Sequence, residues 1–515
     1  MIDEEIAGAL RVLPEYLAHH VILSAAALAL GLAISLPLAL AAVRRARLRW
    51  ALLGCVSLIQ TIPSLALMTL FYPLLLALST LLQHVLGRGF SAFGFLPALG
   101  ALTLYSMLPI VRNIVTGIMS LDPDLIEAAR GVGMTERQRL LRVELPLAAP
   151  FIMAGIRTAA VWVIGTATLA TPIGQTSLGN YIFTGLQTEN WVWVLFGCGV
   201  SAALALIVDQ ALGLIEGGAV RRKRWRVVAG TAALAAGVAL AALPLLGRID
   251  APPYVVGAKN FTEQYILAQL IKQRLEDRGE PAVARTGLGS AVIFRALAQN
   301  DIDVYVDYSG TIWTNVMKRT DHPPRVAMLS EMKEWLMRTY GVTLLGPLGF
   351  ENAYALAMRR DRAQSMGIKS IADLARHAPA LTIGSGFEFF ARPEWSALRD
   401  TYGLSFAGKR EFQSTFMYKA VASGEVDVIS AFSSDGRIAG YNLLLLNDPL
   451  HAIPLYDAIV MIAPKRAHDR NLLSALQPLL GHISPSAIRK ANDMVDRPDD
   501  PAPLRAAARA LDAQL

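Results

Sequence analysis

Few side chains in this 515-residue sequence are spaced for bond-making chemistry. A phosphate-cradling loop needs Gly, four residues, Gly-Lys and then a Ser or Thr whose hydroxyl ligates Mg²⁺. The nearest match, Gly403-Leu-Ser-Phe-Ala-Gly408-Lys409, is followed by Arg410, so the metal ligand is missing. The eight histidines show no His-Glu-x-x-His or other paired metal spacing, and His19 and His20 stand at the entrance of an apolar run. No Gly-x-Ser-x-Gly elbow occurs, and Ser290 follows Gly289 without a placed base. Cys55 and Cys198 lie in apolar runs; two cysteines make neither a disulfide framework nor a four-ligand zinc site, and they read as small core hydrophobes. Neither catalysis nor a metal is expected. One segment is built for docking instead. In Glu127-Ala-Ala-Arg-Gly-Val-Gly133, Pro123 lies just upstream as a helix starter, Ala128 and Ala129 permit close packing, and Gly131 and Gly133 allow a sharp turn. A short amphipathic helix of this kind fits a groove in a partner protein.

The elements that carry these residues divide into two halves. Hydrophobic residues make up 54% of the chain and charged residues 17%, below the usual quarter or so, with a mean hydropathy of +0.41. That balance excludes a disordered chain, a fibrous repeat and an ordinary cytosolic enzyme. A span across a bilayer needs about 20 apolar residues, and six candidates occur at 20–43, 51–82, 95–118, 148–170, 191–215 and 227–246. The second is interrupted by Pro63 and Pro73, which predicts a kink or a non-helical end. Basic clusters follow span one (Arg44, Arg45, Arg47, Arg49), lie between spans three and four (Arg130 to Arg142) and precede span six (Arg221, Arg222, Lys223, Arg224, Arg226). They alternate with poorly basic loops at 83–94 and 171–190, so the basic segments are expected in the cytoplasm. The N-terminus and residues 250–515 are then expected outside it, with span six as a tether. The formal charge of +7 therefore reads as a topology signal rather than as a nucleic-acid site. The acidic start, MIDEEIAGAL, has no basic signal-peptide region, and no cleavage is expected there.

The cytoplasmic segment continues for nine residues to Val143-Glu-Leu-Pro146, and the whole resembles the EAA-x3-G-x9-I-x-LP coupling loop of bacterial ABC importer permeases, with Val143 in the Ile position. The resemblance implies that Glu127, Ala128, Ala129, Gly133, Leu145 and Pro146 meet a cytoplasmic ATPase. With no complete phosphate loop here, ATP and Mg²⁺ belong to a separate chain.

Residues 250–515 alternate short apolar strands (Tyr254-Val-Val-Gly-Ala258, Ile302-Asp-Val-Tyr-Val306, Leu381-Thr-Ile-Gly-Ser385, Val426-Asp-Val-Ile-Ser430) with helices. Two α/β lobes with a ligand between them are expected, the chain crossing near 349–354 and returning near 454–457. Lys259-Asn-Phe-Thr-Glu-Gln-Tyr-Ile-Leu267, Gly287-Leu-Gly-Ser290, Asp303-Val-Tyr-Val-Asp-Tyr-Ser-Gly-Thr311 and Asn352-Ala-Tyr-Ala-Leu356 resemble the substrate-binding proteins of osmoprotectant importers, which take up glycine betaine, choline and carnitine. Together the two resemblances cover almost the whole chain and imply a permease–receptor fusion.

A trimethylammonium neither donates nor accepts strong hydrogen bonds, so it is held by cation–π contact, each aromatic face contributing roughly 0.5–2 kcal/mol. The resemblance places Tyr308, Tyr354 and Tyr456 at the family's cage positions and Phe432 where a fourth tyrosine is usual. It places Lys259 and Arg392 at the positions that bind the carboxylate, with Thr311 as a hydroxyl donor. Core packing of the tyrosines, and solvated or interlobe salt bridges for the two cations, are the bland alternatives. Glu388, four residues before Arg392, departs from a simple betaine receptor: a buried carboxylate there would suit a ligand bearing N–H groups, and Trp313 could add a flat wall. Ergothioneine has that chemistry, and a subfamily of these fusion transporters imports it. Alternatively, Glu388 merely pairs with Arg392 at i,i+4.

The expected architecture is an α-helical membrane domain of about six spans, like a type I ABC importer permease, followed by an α/β two-lobed periplasmic-binding-protein-like domain. Its expected boundaries are 1–226 for the permease with a coupling loop at 120–147, 227–249 for the tether and 250–515 for the receptor, with lobe 1 at 252–350 and 456–515 and lobe 2 at 351–455. Two copies of the chain, two ATPase subunits, a betaine-type ligand and the inner-membrane bilayer are the expected partners. A ligand-gated channel or a membrane-anchored sensor is the competing reading, but neither needs a coupling loop.

Overall fold

The computed structural model describes residues 2–86, 90–188, 190–246, 253–321, 323–453, 455–496 and 503–514. The chain divides into two compact units, one of residues 9–182 and 193–250, the other of 251–515 with the short segments 1–8 and 183–192. The expected boundary at 249/250 and the start of the return crossing at Pro454 lie outside the described residues.

The first unit is helical. Among the described residues six helical stretches are long and apolar enough to cross a membrane: Glu5–Arg44, Ser64–Leu86, Phe95–Met119, Glu136–Ile173, Trp191–Val220 and Arg224–Leu243. Span two breaks at only one of its two prolines. Helix Ala46–Thr61 ends at Ile62, whose backbone is extended (ψ 128°), because the ring of Pro63 crowds the residue before it. Pro73 stays inside helix Ser64–Leu86. The first helix begins at Ile2, which places His20 well inside it rather than at its entrance; its Nε2 lies 3.0 Å from the carbonyl oxygen of Ile164.

Helix Phe95–Met119 is the innermost, with most of its length buried, and it packs along helix Leu145–Ala167. With lipid on the outside, helices associate through close contact at small residues rather than through the hydrophobic effect. Gly155 makes that contact: a Cβ there would sit 2.8 Å from the carbonyl oxygen of Pro109 and 2.8 Å from Cβ of Asn113.

The second unit contains two five-stranded sheets. The strands are β1 Tyr254–Lys259, β2 Ala282–Leu288, β3 Val304–Tyr308, β4 Thr343–Glu351, β5 Tyr354–Arg359, β6 Thr382–Gly386, β7 Gly408–Phe412, β8 Val428–Phe432, β9 Leu443–Leu445 and β10 Asp457–Ile462. The first sheet runs β2-β1-β3-β10-β4 and the second β7-β6-β8-β5-β9. In each sheet four strands run in one direction and one, β10 or β5, runs against them, between the parallel trio and the edge strand β4 or β9. Strands β1, β3 and β10 are buried almost throughout, as expected for sheets covered by helices on both faces. The chain passes from one sheet to the other through Asn352 and Ala353, and comes back after β9 to begin β10 at Asp457.

Replacing Gly155 with Leu should force the two packed helices apart. We expect the thermal midpoint of the full chain in detergent to fall by several degrees, and Gly155→Ala to have a smaller effect. A Leu variant as stable as the native chain would refute the close contact.

Candidate functional site: an aromatic group between two lobes

Strand order brings the expected aromatic residues together. β1 and β3 are parallel, so their C-terminal ends put Lys259 and Tyr308 at one edge, where ligands of α/β sheets are usually held. β10 enters antiparallel with Ala458 opposite Tyr308, which places Tyr456 just beyond that same edge. Ser309 pins it there: its hydroxyl donates to the carbonyl of Leu455 at 2.9 Å and accepts from the amide of Asp457 at 2.9 Å. In the second sheet Tyr354 and Phe432 are direct cross-strand partners of β5 and β8.

The rings form one continuous group. Tyr354 lies 4.9 Å from Phe432, 5.2 Å from Phe389 and 5.9 Å from Tyr456, meeting the last edge-to-face at 85°. Phe261 stacks on Phe432 at 5.7 Å and 8° and on Tyr308 at 6.1 Å. Tyr354 and Phe432 belong to lobe 2; Phe261, Tyr308 and Tyr456 belong to lobe 1. Phe261 and Phe389 were not singled out in the sequence; the signal for Phe261 was its place within Lys259–Leu267, directly before the helix Thr262–Glu276 that begins at the sheet edge.

Two cations face rings of this group: the Lys259 ammonium lies 5.4 Å over Tyr308, and Arg392 lies over Tyr354. Arg392 places its guanidinium carbon 5.2 Å over that ring, the contact that a trimethylammonium would make. It donates from Nε to Glu394 at 3.2 Å, from Nη2 to Glu394 at 3.1 Å and to Thr311 at 3.4 Å, and from Nη1 to Glu388 at 3.3 Å. Thr311 lies in lobe 1, so the guanidinium spans the two lobes. Glu394 does the same, accepting from Thr314 at 3.3 Å and from the hydroxyl of Tyr456. Burial pushes the Glu394 carboxyl up, but the Arg392 charge and the hydrogen bonds from Arg392 and Tyr456 outweigh it and leave it below the ordinary range. Burial pushes the Tyr354 hydroxyl up to about 12, against the opposing charge of Arg392.

A second interlobe centre was not anticipated. Glu263, in the first turn of helix Thr262–Glu276, is fully buried. It accepts from Tyr308 at 2.5 Å, from Asn352 of the crossing segment at 3.1 Å, from Ser434 of lobe 2 at 2.5 Å and from Asn492 at 3.3 Å. Burial raises its pKa, and the four donors oppose that rise.

Three expectations need correction. Lys259 is buried at the edge of the group, but its ammonium is paired with Asp307 on the neighbouring strand, so its charge is already neutralised. Glu388 is not a buried reader of the ligand: its side chain is 56% exposed and pairs with Arg392, the i,i+4 alternative, because the short turn Phe389–Ala391 leaves it at the surface. Trp313 is fully buried within lobe 1, its indole N–H donating to the carbonyl of Asp321 at 2.8 Å and its ring facing Arg319 at 4.8 Å. Among the described residues no ring contact joins it to the aromatic group.

In the membrane unit, the expected docking helix is Pro123–Gly131. Asp122 caps it by accepting from the amide of Asp124 at 2.9 Å, with Pro123 at its first position. Glu127 and Ala128 are exposed and Ala129 is buried. Leu125, Val132 and Leu141 are at least half exposed, which leaves apolar surface around the helix. Of the two glycines only Gly133 turns left-handed (φ +80°); Gly131 ends the helix with open space about it. Thr135 and Gln138 then form a capping box, and helix Leu145–Ala167 starts with Pro146 in its first turn.

Two family descriptions account for nearly all of this. Residues 252–513 match the substrate-binding domain of ABC-type glycine betaine transport systems, and residues 31–221 match the inner-membrane component of binding-protein-dependent transport systems. The chain belongs to the ABC-type glycine betaine transport family. It is 30% identical over 426 residues to the ergothioneine transport permease/ergothioneine binding protein EgtU of Helicobacter pylori (strain G27), covering 80% of this chain and 74% of that protein. It is 40% identical to the choline transport system permease protein OpuBB of Bacillus subtilis (strain 168), over 38% of this chain and 83% of that one. The glycine-betaine-binding protein of Pseudomonas aeruginosa is 27% identical over 50% of this chain and 87% of its own length. The permease part of the family, with the six apolar helices, makes this a multi-pass inner-membrane protein with a transport rather than an enzymatic role.

The lowered pKa of Glu394 gives a signed prediction. Its contribution to stability is complete above the unfolded carboxylate value of about 4.3 and is lost as pH falls through the lower folded value. The thermal midpoint of the native chain should therefore drop more steeply below about pH 4 than that of Glu394→Gln, measured in the same detergent. Parallel profiles would show that the interlobe contact carries no such linkage.

Proposed function

We propose that this chain is the permease and receptor of an ATP-driven importer for betaine-type trimethylammonium compounds, a class that includes glycine betaine, choline, carnitine and ergothioneine. The observation that carries the reading is the aromatic group contributed by both lobes, with a guanidinium on the face of Tyr354. Tyr308, Tyr354, Phe432 and Tyr456 supply faces for the cation, and Phe261 adds one. Arg392 and Thr311 take the ligand's carboxylate; Arg suits a planar carboxylate because its donors come in a fork. Lys259 contributes only if Asp307 releases it, and Glu388 acts at the rim.

Ergothioneine is the favoured member of the class, because the EgtU relative matches across both halves of the chain rather than one. The receptor works outside the cytoplasm, as the alternation of basic segments supports. A six-span permease needs a second half to enclose a pathway, so two copies of the chain pair above two ATPase subunits, whose ATP and Mg²⁺ this chain does not bind. Both receptors then stay tethered at high effective concentration near the pathway. The segment 120–147 transmits ATPase motion through Glu127, Ala128, Ala129 and Gly133, with Leu145 and Pro146 leading into the span. A channel or sensor built on the same receptor has no use for that segment.

Calorimetric titration of the full chain with glycine betaine, choline, carnitine and ergothioneine tests the ligand class. Ergothioneine should bind most tightly, and Tyr354→Ala should weaken binding by roughly two- to thirtyfold and clearly more than Tyr354→Phe, a face being worth roughly 0.5–2 kcal/mol. Binding of none of the four would overturn the cage. For the coupling segment, Glu127→Ala and Gly133→Val should abolish uptake and ligand-stimulated ATP hydrolysis with ligand affinity unchanged. Retained uptake would favour the sensor or channel.

A further inference from the structure

A small cavity lies in the joint between the lobes, beside the aromatic group. Its volume is about 20 Å³, and its wall includes Glu263 and the stacked rings of Phe261 and Phe432. Three further side chains of that wall come from three different segments. Asn352 belongs to the crossing between the sheets, Arg437 to the helix Arg437–Gly440 of lobe 2, and Asn492 to the helix Pro485–Asp496, which packs in the core of lobe 1. All three are more than nine-tenths buried. Among the described residues each keeps one polar atom without a protein partner: Asn352 Oδ1, Asn492 Oδ1 and Arg437 Nη1.

The bonds these side chains do make fix which atom is left over. The Asn352 amide nitrogen donates to Glu263 at 3.1 Å, and that of Asn492 donates to the Ser434 carbonyl at 2.9 Å, so in both the oxygen remains. Arg437 commits Nε and Nη2 to Asp435, at 2.9 and 2.7 Å, which leaves the Nη1 hydrogens. A buried polar group without a partner is costly, and three on one cavity wall call for a shared one. Two acceptors and one donor match a water molecule, which can donate twice and accept in return. They do not match a cation, because the Arg437 guanidinium would face it with like charge. The nearby carboxylates are already engaged: Asp435 with Arg437, Asp496 with Thr262 at 3.1 Å, and Glu263 with its four donors. The size agrees, since one water needs about 10–15 Å³ and typically makes about three hydrogen bonds. No part of a betaine fits in that space.

We infer that this cavity is a binding site for one water molecule, which donates to Asn352 and Asn492 and accepts from Arg437. A bridging water of this kind is nearly as favourable in enthalpy as a direct hydrogen bond. It joins lobe 2, the crossing segment and lobe 1 through a single solvent atom. Arg437 moves with lobe 2 and Asn492 with lobe 1, so only the closed arrangement supplies all three partners. Opening the lobes then breaks the bonds of the water as well as those of Glu263. The site itself is independent of what is imported, whereas its effect on ligand release rests on the betaine reading above.

Crystals of the full chain, at a resolution that shows other buried waters, test the site. One solvent peak should lie within hydrogen-bond distance of the three atoms. A cavity lacking that peak, or an anomalous signal there after a soak in rubidium chloride, overturns the water. Ser434→Thr keeps the hydroxyl that donates to Glu263 and adds a methyl group at the cavity wall. The variant should lose the peak, and glycine betaine and ergothioneine should dissociate from it several-fold faster, with little change in association rate. Unchanged dissociation from a variant whose peak is gone overturns the part played in closure. A peak that persists beside the added methyl shows a space larger than one water and overturns the site as well. If neither probe binds the native chain, the betaine reading falls, while the density still decides the water.

Discussion

A guanidinium resting on a tyrosine face organises the receptor half. Arg392 has to satisfy its charge while buried, and it does so with Glu394 and Glu388 of its own lobe and Thr311 of the other. Burying it without those partners would cost several kcal/mol. The partners therefore tie lobe closure to one side chain. Glu394 extends the tie to Thr314 and Tyr456, and the ring of Tyr354 beneath the guanidinium meets Tyr456 across the same divide. Under the proposed function, a ligand that carries both a quaternary cation and a carboxylate would compete for these contacts with groups the protein already owns, and its affinity would be the difference between the two sets.

Glu263 places the same physics at the hinge side. Its four donors come from β3 of lobe 1, the crossing segment, lobe 2 and the helix Pro485–Asp496. An isolated carboxylate in such a place would be protonated or expelled; one fully supplied with donors fixes the geometry of everything it touches. One of those donors is the hydroxyl of Tyr308, which turns that ring toward Phe261 and the aromatic group. The membrane half follows a different rule. There the helices are held by close approach at Gly155 and by the ion pair of Arg157 with Asp209, since lipid offers apolar groups no incentive to associate.

Much of this was legible in the residues alone. Six apolar runs with alternating basic loops specify six crossings, because the bilayer sets a fixed length and a fixed charge bias that act on local sequence. The Glu127–Gly133 motif specifies a short helix and a left-handed turn, since Pro123, Asp122 and Gly133 act within a few residues of one another. Alternating strands and helices specify two α/β lobes. The four aromatic positions at 308, 354, 432 and 456 were picked out by their surrounding motifs, and their rings lie in one group, Tyr308 joining through Phe261.

What required the tertiary structure was who pairs with whom. Lys259 and Asp307 are 48 residues apart and meet because β1 and β3 are parallel neighbours, an arrangement that sheet order decides and no local pattern encodes. Glu263 became a hub because four segments converge on one helix start. Glu388 and Trp313 had residue types suited to a ligand, but a short turn leaves the first half exposed beside Arg392 and the second is buried inside lobe 1. Residue type and spacing determine local conformation and membrane crossing through short-range sterics and solvation. The neutralisation of a charge or the facing of a ring depends on contacts between distant segments, and only the folded chain decides those.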